Sequence, residues 1–334
     1  MSNFLVVGYG SIGERHARNL ATLGASVVVY DSDEARRRAA AAAGLNALAD
    51  LAGGLAGRPR AVLVCTPPVS HVAVATAAAA AGCHLFIEKP LSHALAGTAD
   101  LQDLAERRRL VALVACNMRF HPAIRRLRQE LDQGAFGRLL SARAEFGHYL
   151  PNWRPGSDYR DSYSAREGEG GGIILDAIHE LDYLIWFLGD VVEVACLRGK
   201  VSDLELEGED TAEILLRSRS GVLASVHVDC TQRHKRRRCV LVGSEGTVIW
   251  ESRGKMPERM VLERFSAKTD QWSKAEETMD PNRPYLDEMA HFLRCLDRVE
   301  EPLHSLRDAR RTLEVALAAR TAAMTRATVV LSES

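Results

Sequence analysis

The sequence predicts a two-domain α/β protein: a doubly wound parallel sheet over its first 118 residues, then a strand-rich remainder. Three observations lead there. The chain has 334 residues, and domains run to roughly 100–200 residues each. Short β-branched runs alternate with helical, alanine-rich stretches as far as Cys116. Beyond that point, Gly, Asp and Ser turns separate seven further runs of strand character.

Composition narrows the class. Apolar residues at 46% and charged residues at 26% suit a globular protein and exclude disordered and fibrous ones. Forty-three basic side chains balance 44 acidic ones, so no nucleic-acid partner is expected. No apolar run reaches the roughly 18 residues of a membrane span, so no membrane partner is expected either. The start, Met1-Ser2-Asn3-Phe4, lacks the regions of a secretory signal. Seven scattered cysteines without a C-x-x-C pair read as reduced, mostly buried thiols in a cytoplasmic protein, with neither a disulfide frame nor a metal site.

Taken in order, the elements explain themselves. Phe4–Val7 is a strand that runs into Gly8-Tyr9-Gly10-Ser11-Ile12-Gly13, and a helix follows from about Ser11 to Leu23. A second strand, Ser26–Tyr30, ends in Asp31. Gly8 permits the tight turn, Gly10 lets backbone approach a pyrophosphate, and Gly13 lets the helix pack close to the sheet. The unpaired N–H groups of the helix start would hold that anion. Asp31 is placed to accept from an adenosine ribose and to repel a 2′-phosphate, which favours NAD over NADP. Arg36, Arg37 and Arg38 read as a solvated helix face. A helix through Ala39–Ala43 ends at Gly44. Ala61–Cys65 is a buried strand leading into Thr66-Pro67-Pro68, at the carboxyl edge where open α/β sheets bind ligands. Val69–Ala81 is a helix ended by Gly82, and the strand His84–Ile87 runs into Glu88-Lys89-Pro90. Ser92 reads as the N-cap of a helix through Arg109, and Val111–Cys116 as the next strand.

Four motifs in this order, G-x-G-x-x-G, T-P-P-x-x-H (Thr66–His71), A-G-x-H-x-x-x-E-K-P (Ala81–Pro90) and N-x-R-F-H-P (Asn117–Pro122), resemble the glucose–fructose oxidoreductase/inositol dehydrogenase/rhizopine catabolism (Gfo/Idh/MocA) family. The likeness continues through Gly170–Asp182 and a tail from Ser305 to about Thr325, and so spans nearly the whole chain. It implies an NAD(P)-binding Rossmann domain over residues 1–118. Residues 119–334 would form a substrate-binding and oligomerisation domain with a large open, mainly antiparallel sheet. Members act with NAD(P) on CH–OH groups of sugars, sugar derivatives and cyclitols, and form dimers or tetramers, often through the open sheet. By resemblance, Gly8, Gly10, Ser11, Ile12, Gly13, Asp31, Thr66, Pro67, His71, Glu88 and Lys89 are the cofactor contacts. Two alternatives stay open: an NAD-dependent glycosidase that oxidises its substrate transiently, and a non-catalytic NAD-binding sensor.

Oxidising a carbinol requires a base for the hydroxyl proton. The resemblance gives that role to Lys89 and His179. Asp176 lies three residues before His179 in one predicted helix and would share its face. The commoner family pattern has the Asp four residues before the His, where Leu175 stands here. Asp182 reads as structural. Gly170–Gly172 would let backbone lie close to ligand. Asn117 and Arg119 stand at the expected domain crossing, Arg119 orienting the neighbourhood of Lys89 or a substrate anion, or else forming an interdomain salt bridge.

The segment Leu150–Glu169 has no periodicity, and long structureless loops in compact domains are usually functional. Trp153, Tyr159 and Tyr163 offer flat faces for a sugar ring, while Arg154, Arg160 and Arg166 offer forked donors to an anion. An anionic sugar such as a sugar nucleotide is the expected substrate, with Arg160 expected to matter for its KM; a subunit-pairing arm is the other reading. The segment's L-P-x-W…D-Y-R-x-S-Y-S-A string resembles a branch of the family linked to bacterial surface sugars. Strands are expected at Gly137–Gly147, Val191–Ser202, Thr211–Ser218, Val222–Thr231, Arg237–Gly243, Thr247–Glu251 and Met260–Phe265, with a short one at Val329–Leu331. The basic run Arg233–Arg238 reads as charge guarding a strand edge.

Overall fold

A computed structural model describes residues 3–254 and 257–332. Its first part runs β1 (Asn3–Val7), α1 (Ser11–Thr22), β2 (Ser26–Tyr30), α2 (Glu34–Ala42), β3 (Asn46–Leu48), α3 (Leu51–Ala56), β4 (Ala61–Val64), α4 (His71–Ala80), β5 (His84–Ile87), α5 (Thr98–Arg107) and β6 (Ala112–Val114). All pairings are parallel, in the order β3-β2-β1-β4-β5-β6. That is the strand order of a doubly wound dinucleotide fold. Strands covered on both faces must be apolar throughout, and every residue of Ala61–Val64 is fully buried. Ala17 and Leu20 of α1 pack one face, whereas Ala75, Ala78 and Leu101 pack the other. Ser92 does not start α5. Gly97, in a left-handed conformation (φ 73°), caps it instead, and the helix cannot extend back through that backbone.

The chain continues through α6 (Pro122–Asp132), β7 (Leu139–Gly147), α7 (Ile173–Asp176), α8 (His179–Leu188), β8 (Val191–Gly199), β9 (Thr211–Ser218), β10 (Leu223–Asp229), β11 (Arg236–Gly243), β12 (Gly246–Arg253), β13 (Glu258–Ser266), β14 (Gln271–Met279), α9 (Arg283–Leu296), α10 (Leu306–Thr325) and β15 (Val329–Val330). The second sheet has the order β14-β13-β12-β11-β7-β10-β9-β8-β15, and only β7 with β10 is parallel. β14 escaped the sequence pattern because it is an edge strand, exposed along nearly its whole length, with no apolar alternation. The Arg233–Arg238 run does not guard an edge, since β11 lies between β12 and β7.

Two compact units result: residues up to Asn117 with Tyr285–Arg311, and Met118–Pro284 with Thr312 onward. This differs from a single cut after residue 118, and burial explains the difference. Met289, Phe292, Cys295 and Leu296 of α9 join the core around Phe86 and Leu113 of the first sheet. None of the seven cysteines is in a disulfide, and all are buried. No described helix is long and apolar enough to cross a membrane.

Candidate active site

In the first unit the glycine turn does what its spacing predicts. A Cβ on Gly13 would lie 1.8 Å from the Gly8 carbonyl oxygen, and one on Gly8 (φ 95°) would lie 2.6 Å from that of Cys65. Over Gly10 the space is clear except for the Arg36 guanidinium, 3.6 Å away. Gly10 also caps α1 without a side-chain acceptor. The first amides of α1 therefore remain for an anion. The Thr66 hydroxyl is buried with no partner among the described residues. An open glycine turn, unclaimed helix amides and an orphaned hydroxyl at the carboxyl edge together fit the pyrophosphate of a dinucleotide.

Asp31 accepts from the Tyr9 N–H (2.6 Å) and the Asp33 N–H (2.8 Å), so both carboxylate oxygens are anchored, each with a lone pair to spare. Arg36 is not merely a solvated helix residue, because its guanidinium lies 3.7 Å from the Asp31 carboxylate. Arg37 donates to the Asp31 and Ser32 carbonyls, while Arg38 approaches Glu34 on the outer face. Asp31→Asn is expected to narrow the preference for NAD over NADP about tenfold, by removing a charge that repels a 2′-phosphate and freeing Arg36 to meet it. Titrations with both dinucleotides check this; an unchanged ratio of dissociation constants counts against the assignment.

His71 opens α4, and its two ring nitrogens face the Pro90 carbonyl (2.9 Å) and the Thr66 carbonyl (2.7 Å). It therefore ties the loop after β4 to the loop after β5, and any service to the cofactor goes through loop shape. Burial pushes its pKa below the usual imidazole value against the pull of both carbonyls. Glu88 is buried at the end of β5, and Lys89 beside it is half-buried. The Glu88 carboxylate accepts from His16 Nε2 (2.6 Å) and from the Lys89 N–H (3.1 Å). Burial pushes its pKa up, but the His16 hydrogen bond and the charges of His16, Lys89 and His71 outweigh this, and the net shift is downward.

In the second unit, Asp176 and His179 do not share one helix. α7 ends at Asp176 and α8 begins at His179, after the turn at Ala177 and Ile178. Asp176 is buried and accepts from the Tyr163 hydroxyl (2.7 Å); His179 is half-buried. The first turn of α8 is pinned twice. Asp182 receives a two-pronged donation from Arg119 (both 2.9 Å), and Glu180 pairs with Arg237 at 2.5 Å. All four side chains are almost entirely shielded from solvent. Arg119 is thus committed inside its own unit, where it also lies over the Trp186 ring. Arg237, the inward-facing member of the basic run, stacks on Phe146. Its role was not legible beforehand, though strand alternation through Arg236, Arg237 and Arg238 was the available signal.

Gly170–Gly172 makes its close approach to the chain itself. A Cβ on Gly171 would lie 2.4 Å from the Tyr163 carbonyl oxygen, and one on Gly172 would meet Arg320 and Glu209. Glu209 accepts from the Ile174 N–H and from Arg320, and also pairs with Arg198. The Leu150–Glu169 segment is a chain of four 3₁₀ turns, each too short to show a period. Trp153 donates to the His148 carbonyl, and the Tyr159 hydroxyl accepts from the Glu205 N–H. Arg160 gives its fork to Asp158 and also meets Glu205, while Arg166 pairs with Glu169. Arg154 forms no ion pair among the described residues and lies 5.6 Å from the centroid of the Tyr163 ring. Asn117 is half-buried in the last turn of the first unit.

Comparison with known proteins agrees with these features. Residues 2–116 match a model described as an oxidoreductase family with an NAD-binding Rossmann fold, and residues 124–249 match the GFO/IDH/MocA C-terminal domain. The chain is similar to the myo-inositol 2-dehydrogenase of Thermotoga maritima, 27% identical over 98% of both proteins. It is 31% identical to an inositol 2-dehydrogenase of Acidothermus cellulolyticus, over 78% of this chain and 74% of that one. The WlbA dehydrogenase of Bordetella pertussis, solved with NADH and UDP-GlcNAcA, superimposes with a TM-score of 0.83 at 23% identity, covering 100% of this chain and 99% of the other.

Proposed function

The chain belongs to the Gfo/Idh/MocA family of NAD-binding oxidoreductases, which act on CH–OH groups, and on that premise we propose that its substrate is an anionic sugar derivative whose hydroxyl proton is handled by Lys89 and His179. Bound NAD supplies the hydride acceptor. Gly8–Gly13 and the start of α1 hold its pyrophosphate, and Asp31 its adenosine ribose. The chain's own chemical task is the hydroxyl proton, which must leave as the carbinol carbon loses hydride. Lys89 carries an amine in a half-buried turn, and His179 an imidazole at the start of a doubly pinned helix.

The observation that supports this substrate class is the linkage of Arg154, Tyr163 and Asp176. Arg154 lies over the Tyr163 ring, and the Tyr163 hydroxyl is bonded to Asp176, three residues from His179. An arginine without a carboxylate partner thus sits one aromatic ring away from the Asp176–His179 segment. WlbA, solved with a sugar nucleotide that bears an acid, fits the same class.

Incubating the protein with NAD, UDP-sugar acids, neutral UDP-sugars, myo-inositol and free sugars while following NADH absorbance tests the proposal. NADH is expected with the acids, at a kcat/KM about tenfold or more above their neutral counterparts. Faster turnover of neutral sugars overturns the anionic class. Glycoside release without NADH points to the glycosidase, and binding without either product to the sensor. Arg154→Ala is expected to raise the KM of the acid at least about tenfold, the worth of a charged hydrogen bond. Arg160→Ala is expected to change it less than about twofold, because that fork is already filled.

Two further parts of the reading concern surroundings. Leu197, Leu215 and Leu223 are exposed on one face of the second sheet (78%, 59% and 52%), and pairing of copies through that face is the assembly we propose. Seven buried cysteines, none in a disulfide, support a cytoplasmic location.

A further inference from the structure

We propose that His16 is a positioning residue for the reaction, holding the Glu88 carboxylate against the Lys89 backbone N–H and thereby fixing the turn that carries the Lys89 amine and the charge that stands beside it. This rests on the assignment of Lys89 to the proton transfer.

His16 lies on α1, three residues after Gly13, and is completely buried. Its ring packs edge-on against Phe86 (4.9 Å) and Tyr285 (6.2 Å), so its orientation is held. Its Nε2 bonds to Glu88 Oε1 at 2.6 Å, while Nδ1 has no partner among the described residues. Half-satisfied buried polar groups are costly, and an apolar side chain would fill the same space at lower cost. A purely architectural role therefore accounts poorly for a histidine here.

The other Glu88 oxygen accepts from the Lys89 N–H. One carboxylate thus joins the helix of the glycine turn to the backbone of Lys89. The titratable groups facing Glu88 are His16 from α1, Lys89 beside it, His71 from α4 and Cys65 just after β4. The Cys65 thiol is pushed up by burial and by the Glu88 charge and stays neutral. His71 holds the Pro90 carbonyl on the far side of Lys89. Without His16, Glu88 would be a buried carboxylate stripped of its strongest support and would tend to protonate. Lys89 would then lose an adjacent negative charge. In the oxidation direction the carbinol proton would pass to the Lys89 amine, while NAD, when bound, would supply the acceptor for the C–H electron pair that leaves as hydride.

The test uses His16→Leu, which removes the bond, His16→Gln, whose amide nitrogen stands near the position of Nε2, and Glu88→Gln, which removes the charge at constant shape. The six lysines of the chain are ¹³C-methylated for NMR titration, with Lys89 assigned by its absence in Lys89→Arg. In His16→Leu and Glu88→Gln the Lys89 midpoint is expected to fall by about half a pH unit or more, the other lysines staying put. The pH profile of kcat for the preferred sugar should move with it, and in His16→Leu the NAD Kd should stay within about twofold. His16→Gln should restore most of the wild-type profile. An unmoved Lys89 midpoint in Glu88→Gln overturns the proposal even if His16→Leu fails to fold. So does His16→Gln being as impaired as His16→Leu, or NAD affinity falling in step with kcat. If Lys89→Ala keeps full turnover, the role of Lys89 fails and this inference falls with it; if Lys89→Ala is inactive but the titration does not move, this inference alone fails.

Discussion

Replacing Lys89 by alanine is expected to lower kcat by a factor of about 10²–10⁴, the range that a positioned proton acceptor contributes, with the NAD dissociation constant held within about twofold. The two effects separate because the cofactor's proposed holders, the glycine turn and Asp31, are built from β1, α1 and β2. Lys89 follows β5, and the hydrogen bonds that hold its turn come from the Glu88 carboxylate and, through Pro90, from His71. Removing its amine therefore leaves the pyrophosphate cradle untouched. Lys89→Arg is expected to be almost as slow, since a guanidinium keeps its proton across the working pH range and cannot accept another. Stopped-flow measurement of the first turnover, beside equilibrium titration with NAD, checks both halves. Full turnover in Lys89→Ala would move the proton to another group. Parallel losses of kcat and NAD affinity would make Lys89 a cofactor contact only.

Arg119→Ala is expected to cost about 3–5 kcal/mol of stability in the second unit, the usual penalty for stripping one partner from a buried ion pair. Asp182 is fully buried, and the Arg119 fork supplies two of its hydrogen bonds at 2.9 Å. Alanine strips the Arg119 charge from that carboxylate at the first turn of α8, the helix that carries His179. Urea unfolding followed by tryptophan fluorescence reports the change locally, because Trp186 lies under the Arg119 guanidinium. Exchanging both partners, Arg119→Met with Asp182→Leu, is expected to recover much of the loss, as apolar replacement of a whole buried pair often does. A stable Arg119→Ala with a greatly raised KM would instead return Arg119 to the substrate-anion role that its motif suggested.

The two arginines of the second unit show where reading a sequence stops. Arg119 was recognisable as important because it sits in N-x-R-F-H-P, yet its partner lies 63 residues away. Asp182 reads as structural in the sequence, but nothing in local spacing ties it to Arg119. Arg237 was hidden more completely, inside a run of basic residues of which alternate members face opposite sides of β11. The Leu150–Glu169 segment was correctly marked as unusual, but its arginines were not separable. Arg160 and Arg166 have carboxylates within three residues and pair with them, whereas Arg154 does not.

The elements themselves divide in the same way. Strands buried on both faces announce themselves as continuous apolar runs, and β1, β4 and β5 are legible for that reason. β14 was not, because an exposed edge strand has no buried face to impose alternation. Helix continuity failed at two places, before Thr98 and between Asp176 and His179, where backbone turns interrupt stretches whose side chains suit a helix.

By itself the sequence determined the doubly wound first unit, the glycine cradle with Asp31 at its edge, the family and the turn that presents Lys89. Each of these is encoded by residues within one turn or one strand–helix step, where spacing and stereochemistry leave few alternatives. Only the tertiary structure decided that α9 returns to the first unit, that Arg119 and Arg237 pin the start of α8, that Arg154 keeps its fork when its neighbours do not, and that His16 grips Glu88. Those are pairings across 57 residues or more or choices among chemically equal partners, and they are settled by packing and by the need to neutralise buried charge.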